Sequence, residues 1–172
     1  MSWIKKEFII PDLSTEDSEA VAEELLNYIV ERSKQGKGID GEKFPGYSDA
    51  YKKSLDFKAA GKSSKVNLTL SGEMLDSLEV LSAKKGKIVI GFQKGSEMNA
   101  RAEGNILGTY GQKTPNEKKA RNFLEISESE LAKMIKKSDA IPKEIRKEVY
   151  SMAREGAIEM IDKFQFDVDE GE

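Results

Sequence analysis

Apolar residues recur along this chain at two different periods, and the period changes from segment to segment. Val21, Leu25, Tyr28 and Ile29 share one face at helical spacing, behind a Ser14 suited to cap the first turn with Asp17 three residues on. Glu16 and Asp17 favour the positive end of the helix dipole, and Gly36 and Gly38 stop the run. A helix is predicted from about Thr15 to Lys34. From residue 33 to 66 neither period is sustained, so a long, glycine-bearing, lysine-rich loop is expected there, with a short helical turn near Tyr47 to Ser54.

A denser block follows. Residues 66–70 lead to Ser71-Gly72, after which Met74, Leu75 and Leu78 stand at helical spacing for about two turns. Glu79 to Ala83 and Lys87 to Phe92 are short and β-prone, and with Lys84-Lys85-Gly86 between them they predict a hairpin. Ile88, Ile90 and Phe92 would face one way, Val89 and Gly91 the other. Residues 93–119 are rich in small and polar side chains and predict a second loop, with a short helix over Met98 to Glu103 and a turn or strand over Ile106 to Tyr110. Ser127 caps a further helix carrying Glu128 and Glu130 in its first turn and Leu131, Met134 and Ile135 on one face. Pro142 opens a long final helix whose apolar stripe runs Ile145, Val149, Met152, Ile158, Ile161, Phe164, interrupted near Gly156.

These elements predict an α+β fold: a small antiparallel sheet packed against a long N-terminal helix and C-terminal helices, with long extended loops. Residues 1–166 are expected to form one domain, and 167–172 an acidic tail. A chain of 172 residues is long enough for a single core, and 38% hydrophobic with 34% charged residues suits a packed interior under a solvated surface. No apolar run approaches the roughly 20 residues needed to span a bilayer, and the N-terminus lacks a basic-then-apolar leader, so no membrane step is expected.

Composition also narrows the chemistry. Without cysteine there is no thiolate nucleophile, no disulfide and no cysteine-ligated metal; without histidine there is no Ser-His-Asp triad and no imidazole base. The 31 acidic residues leave carboxylate catalysis open in principle, but most lie in solvated helix patterns. The acidic tail ends before the bidentate acid that closes a calcium loop, and no glycine run is followed by the Lys-Ser or Lys-Thr of a phosphate loop. No catalytic residue, cofactor or metal site is expected, and the chain reads as a binding or assembly component rather than an enzyme.

The net charge of −3 is unevenly spread. Residues 1–32 carry eight acids and three bases, whereas residues 33–66 carry eight lysines and four acids. Such asymmetry suits contact between unlike surfaces of neighbouring subunits. Lysines interleaved with Phe44, Tyr47, Tyr51 and Phe57 are also a pattern for gripping nucleic acid, although the overall charge opposes it.

Four stretches, taken in order, resemble the phage tail-completion or head-tail joining proteins and their relatives, the Mu-like virion morphogenesis proteins. They are Gly41-Glu42-Lys43-Phe44-Pro45-Gly46-Tyr47-Ser48 with Tyr51-Lys52-Lys53; Leu68-Thr69-Leu70-Ser71-Gly72-Glu73-Met74-Leu75-Asp76-Ser77-Leu78; Lys87-Ile88-Val89-Ile90-Gly91 with the variable segment Asn99 to Gly111; and Arg121-Asn122-Phe123-Leu124-Glu125-Ile126-Ser127. Phe44 stands where a Trp is often found, and the Pro that commonly precedes the Arg-x-Phe element is missing. The resemblance implies a virion protein, made in the host cytoplasm and located in the neck or upper tail. There it would form a ring of about six or twelve copies between a head connector or adaptor and a tail terminator or tail tube protein, close to the DNA channel. On that reading Leu70, Gly72, Leu75, Ser77, Gly91, Arg121, Phe123 and Leu124 are motif residues of the fold. Phe44, Tyr47, Tyr51, Phe57, Lys58, Lys62, Lys65, Asn99, Arg101 and Tyr110 are candidate subunit contacts. The alternatives are a tail terminator and a non-viral nucleic-acid-associated binding module.

Overall fold

A computed structural model describes residues 3–45, 53, 73–108 and 120–162 of the chain. The first element is a strand, β1 (Lys5–Ile9), which the charged sequence Lys-Lys-Glu disguises. Ile4, Phe8 and Ile10 alternate with Lys5, Glu7 and Ile9, and the first set is buried. Lys6 falls on the buried side too, where its ammonium pairs with Asp162 at 3.3 Å.

Helix α1 (Thr15–Lys34) follows, with bounds that match the sequence expectation. Ser14 caps it, its Oγ accepting from the Asp17 N–H at 3.1 Å. The turn Ile39–Gly41 is a 3-10 helix, α2 spans Glu73–Asp76, and the expected hairpin is β2 (Glu79–Lys84) and β3 (Lys87–Gly91). Lys85 and Gly86 both take positive φ, the two-residue turn whose twist suits a hairpin. The Gly86 carbonyl accepts from the Ile10 N–H at 2.8 Å and its N–H donates to Ser18 Oγ at 2.7 Å, tying the hairpin to α1.

Helix α3 (Glu97–Leu107) corrects the expected second loop. Ser96 caps it through the Asn99 N–H, and Gly108 ends it in the left-handed region, so residues 93–108 are mostly helical and only 109–119 of that segment lie outside the described residues. Ile106, expected in a turn or strand, is in the last helical turn and buried.

Helix α4 (Glu128–Lys137) is capped by Ser127 as expected, and α5 (Lys143–Arg154) starts after Pro142. The final helix was expected to run on through Ile158 and Ile161, and it does not. Gly156, at φ 71°, lets the Ala157 N–H reach back to the Met152 carbonyl and its own N–H to Ala153, a closed C-terminal cap that ends the helix. The chain beyond, with Ile158 buried, turns into strand β4 (Glu159–Asp162), where Met160 packs on the core. Phe164 and the tail lie outside the described residues.

The fold is α+β, with an antiparallel sheet in the order β2-β3-β1-β4. Phe8 pairs with Ile88 on one side and Met160 on the other, and Lys6 with Ile90 and Asp162, so one sheet face gathers the apolar side chains. Helix α1 packs across β2 and β3, and α4 lies between α1 and α5. Phe92 and Phe123 meet edge to face with centroids 6.1 Å apart, linking the sheet to the segment before α4.

Candidate functional site

The buried face of α1 reads Ser18, Val21, Ala22, Leu25, Ile29, and then Arg32 and Ser33. Arg32 thus occupies an apolar register, only 5% exposed, and a buried guanidinium must find partners. Its Nη1 donates to Glu130 Oε2 at 2.6 Å, and its Nη2 donates to the carbonyls of Phe123 at 2.9 Å and Glu125 at 2.7 Å.

Glu130 is itself 6% exposed, and it is the third residue of α4, whose N–H the Ser127 cap engages. Its Oε2 also accepts from the Tyr28 hydroxyl at 2.5 Å, and its Oε1 from the Asp40 N–H. Burial pushes the Tyr28 hydroxyl up to about 12, and the hydrogen bond and charge of Glu130 push the same way against the opposing Arg32. Four elements therefore meet on one carboxylate-guanidinium pair: α1, the 3-10 turn, the 123–125 segment and α4.

The turn after α1 is ordered by this cluster. The Gly38 N–H donates to the Glu42 carbonyl at 2.7 Å and the Phe44 N–H to Gly36 at 3.0 Å, so residues 36–44 fold back as a tight antiparallel turn. Asp40, at φ 53°, accepts from Ser127 Oγ at 2.5 Å. Arg121 Nε donates to the Pro45 carbonyl at 3.3 Å, while its own N–H donates to Asn105 at 2.6 Å. Residues 40–45, which include the described start of the Gly41 stretch, and the stretch Arg121 to Ser127, remote in sequence, are neighbours in space.

Both oxygens of Glu130 are engaged, so this carboxylate cannot act as a base without losing the partner that neutralises Arg32. Its chemistry is that of a clamp. Beside it, between α1 and α4, lies a groove of about 700 Å³ bordered by Glu24, Glu31, Asp40, Lys133, Lys137 and Ser138. Among the described residues no group of three or more acids could hold a metal ion, and no helix is long and apolar enough to cross a membrane.

The apolar motif residues that are described sit inside the fold, while Ser77 and Arg121 are half-buried. Leu75, Phe123 and Leu124 are buried, and Ser77 Oγ donates back to the Glu73 carbonyl at 2.7 Å. Gly91 lies so close to β1 that a Cβ there would come within 2.6 Å of the Ile4 carbonyl oxygen. Leu70 and Gly72 lie outside the described residues, as do Tyr47, Tyr51, Phe57, Lys58, Lys62, Lys65 and Tyr110 of the candidate contacts.

Of the remaining contacts, Phe44 is half-buried, its ring over Gly38 and against the core. Arg101 is on the surface between Glu97 at 3.0 Å and Glu73 at 3.9 Å. Asn99 requires correction. It is 2% exposed, and its Oδ1 accepts from the Ile4 N–H at 2.7 Å, so it fastens the entry to β1 and is not available to a neighbouring subunit.

Sequence reading missed the Arg32–Glu130 cluster altogether. Its signal was present: an arginine continuing the register of Val21, Leu25 and Ile29 asks for a buried acid, and Glu130 occupies the capping-box position after Ser127. No protein-family model, no curated protein and no solved structure shows a significant match to the chain.

Proposed function

We propose that the protein is a structural subunit of a tailed-phage virion, a ring component of the neck that joins the head connector to the tail. The observation that most supports this reading is the meeting of the described start of one motif stretch, at Pro45, with another, Arg121 to Ser127, at one place. Arg121 holds Pro45, Ser127 holds Asp40, and Glu130 holds the Asp40 N–H, so the start of the lysine-rich segment is anchored to the helical layer. An anchored root suits a segment whose job lies outside its own subunit, because the ordering cost at contact falls on fewer residues. The unequal charge of residues 1–32 and 33–66 supports the same reading, since head-to-tail ring contacts join two unlike surfaces.

The test is the mass of the purified protein in solution across a concentration series, with electron imaging of large species. Closed rings of about six or twelve copies are expected. A protein that stays monomeric and also fails to bind a connector or tail protein sinks the proposal. Tight, salt-sensitive binding to free DNA by a monomer would instead favour the nucleic-acid module.

A further inference from the structure

The outward side of α1 is an acidic stripe. Glu19, Glu23, Asn27 and Glu31 stand four residues apart and exposed, with Glu16 exposed at the start of the helix and Glu24 half-buried beside them. Among the described residues none of these five acids has an ion-pair partner. The stripe borders the groove between α1 and α4, and there Ser138, 5% exposed, holds an Oγ without a hydrogen-bond partner among the described residues. A buried hydroxyl left open beside unpaired carboxylates is a place for a donor from outside.

We propose that this face receives the lysine-rich stretch 52–65 of a second copy of the chain. That stretch holds Lys52, Lys53, Lys58, Lys62 and Lys65 and a single acid, Asp56. The groove is its complement: Glu24, Glu31 and Asp40 dominate, with Lys133 and Lys137 on the α4 side to meet the one acid. A nucleic acid is repelled by the same carboxylates. The contact is heterologous, since the surface that gives and the surface that receives are different parts of the chain, and such a contact repeats until a ring closes. The inference rests on the self-assembling reading above and supplies both halves of its interface.

The experiment uses two full-length charge-reversal variants, E19K/E23K/E31K and K58E/K62E/K65E, with circular dichroism to establish that each is folded. Sedimentation at low and high salt compares each alone, the two mixed, and the unaltered chain. Each variant alone is expected to associate at least about tenfold more weakly than the unaltered chain, because like charges then face each other across every contact. Mixing the two is expected to restore association, because every contact between unlike copies again pairs opposite charges. High salt is expected to weaken the restored species.

Variants that assemble as the unaltered chain does overturn this interface while leaving assembly intact. Variants that fail alone and are not rescued by mixing also overturn it, since the charges would then act within one chain. An unaltered chain that never associates overturns it as well, and the neck reading then depends on binding to a connector protein.

Discussion

Arg32 and Glu130 lie 98 residues apart in sequence and 2.6 Å apart in space, each almost wholly buried. Neither is there for the strength of an ion pair alone, since desolvating two charges offsets much of their attraction. What the pair does is collect polar backbone from three other places: the carbonyls of Phe123 and Glu125 and the N–H of Asp40. A hydrophobic pair of the same size would leave those groups unsatisfied. The pair therefore specifies where the turn after α1 sits relative to α4.

Removing one partner should cost far more than the net worth of the pair. Arg32→Ala leaves a buried carboxylate and two unsatisfied carbonyls, and is expected to lower stability by about 3 to 5 kcal/mol. Glu130→Gln keeps an acceptor for the Asp40 N–H and is expected to cost less, about 2 kcal/mol. The double variant should lose clearly less than the two losses added, because the residues share one network. Urea unfolding of the four proteins checks this; additive losses would show that the two side chains act independently.

Much of the layout was legible in the sequence, and the exceptions have physical causes. The α1 helix, the hairpin and α4 each carry a period and a punctuation residue that agree, Ser14, Gly86 and Ser127 among them. Strand β1 was hidden because Lys6 sits on its buried side, where an apolar residue would have completed the alternation. The end of α5 was misjudged because Ile158 and Ile161 continue the helical spacing by coincidence, while Gly156 closes the helix through backbone bonds that periodicity does not register. The Arg32–Glu130 site is legible only in part, for a third reason: the register of Arg32 asks for a buried acid, but the backbone groups that the pair also binds, the carbonyls of Phe123 and Glu125 and the N–H of Asp40, are ones any sequence could supply.

The tyrosines offer a pH test. Tyr28 is pushed up to about 12, mainly by burial and then by Glu130, whereas Tyr150 is lowered by its hydrogen bond with Arg154. An alkaline absorbance titration should therefore show one phenol ionising late and one early, and Tyr28→Phe and Tyr150→Phe should delete those steps respectively. For stability the sign follows from the raised value. The folded state holds the Tyr28 proton more tightly than the unfolded chain, so its contribution is full below pH 10 and is lost as pH rises from 10 towards 12. Solvent screening of this partly exposed ring reduces the loss to about 1 kcal/mol.

Two glycines of the quoted stretches should behave differently on substitution. Gly91→Ala places a methyl 2.6 Å from the Ile4 carbonyl oxygen and 2.7 Å from Lys5 Cα, both of the paired strand, so β3 and β1 must separate. A loss of about 3 kcal/mol or more is expected. Gly41, at φ 76°, has open space around its missing Cβ, so Gly41→Ala meets only backbone strain, about 1 kcal/mol. Equal losses in thermal or urea unfolding would contradict the packing around β3.

Asn99 and Arg101 stand two residues apart on α3 and offer a way to separate folding from the proposed assembly. Asn99→Ala removes the acceptor for the Ile4 N–H at a site 2% exposed, which strands a buried donor and should cost about 1 to 3 kcal/mol. Arg101→Ala removes surface ion pairs to Glu97 and Glu73 and should cost under about 1 kcal/mol. Association should respond in the opposite order. Once enough folded protein is present, Asn99→Ala should self-associate like the unaltered chain, because the residue faces inward; Arg101 is half-buried at the surface and can take part in a contact. Unfolding curves and sedimentation of both variants read the two properties separately. A folded Asn99→Ala protein that had lost only its association would return that residue to the subunit interface and contradict its place beneath β1.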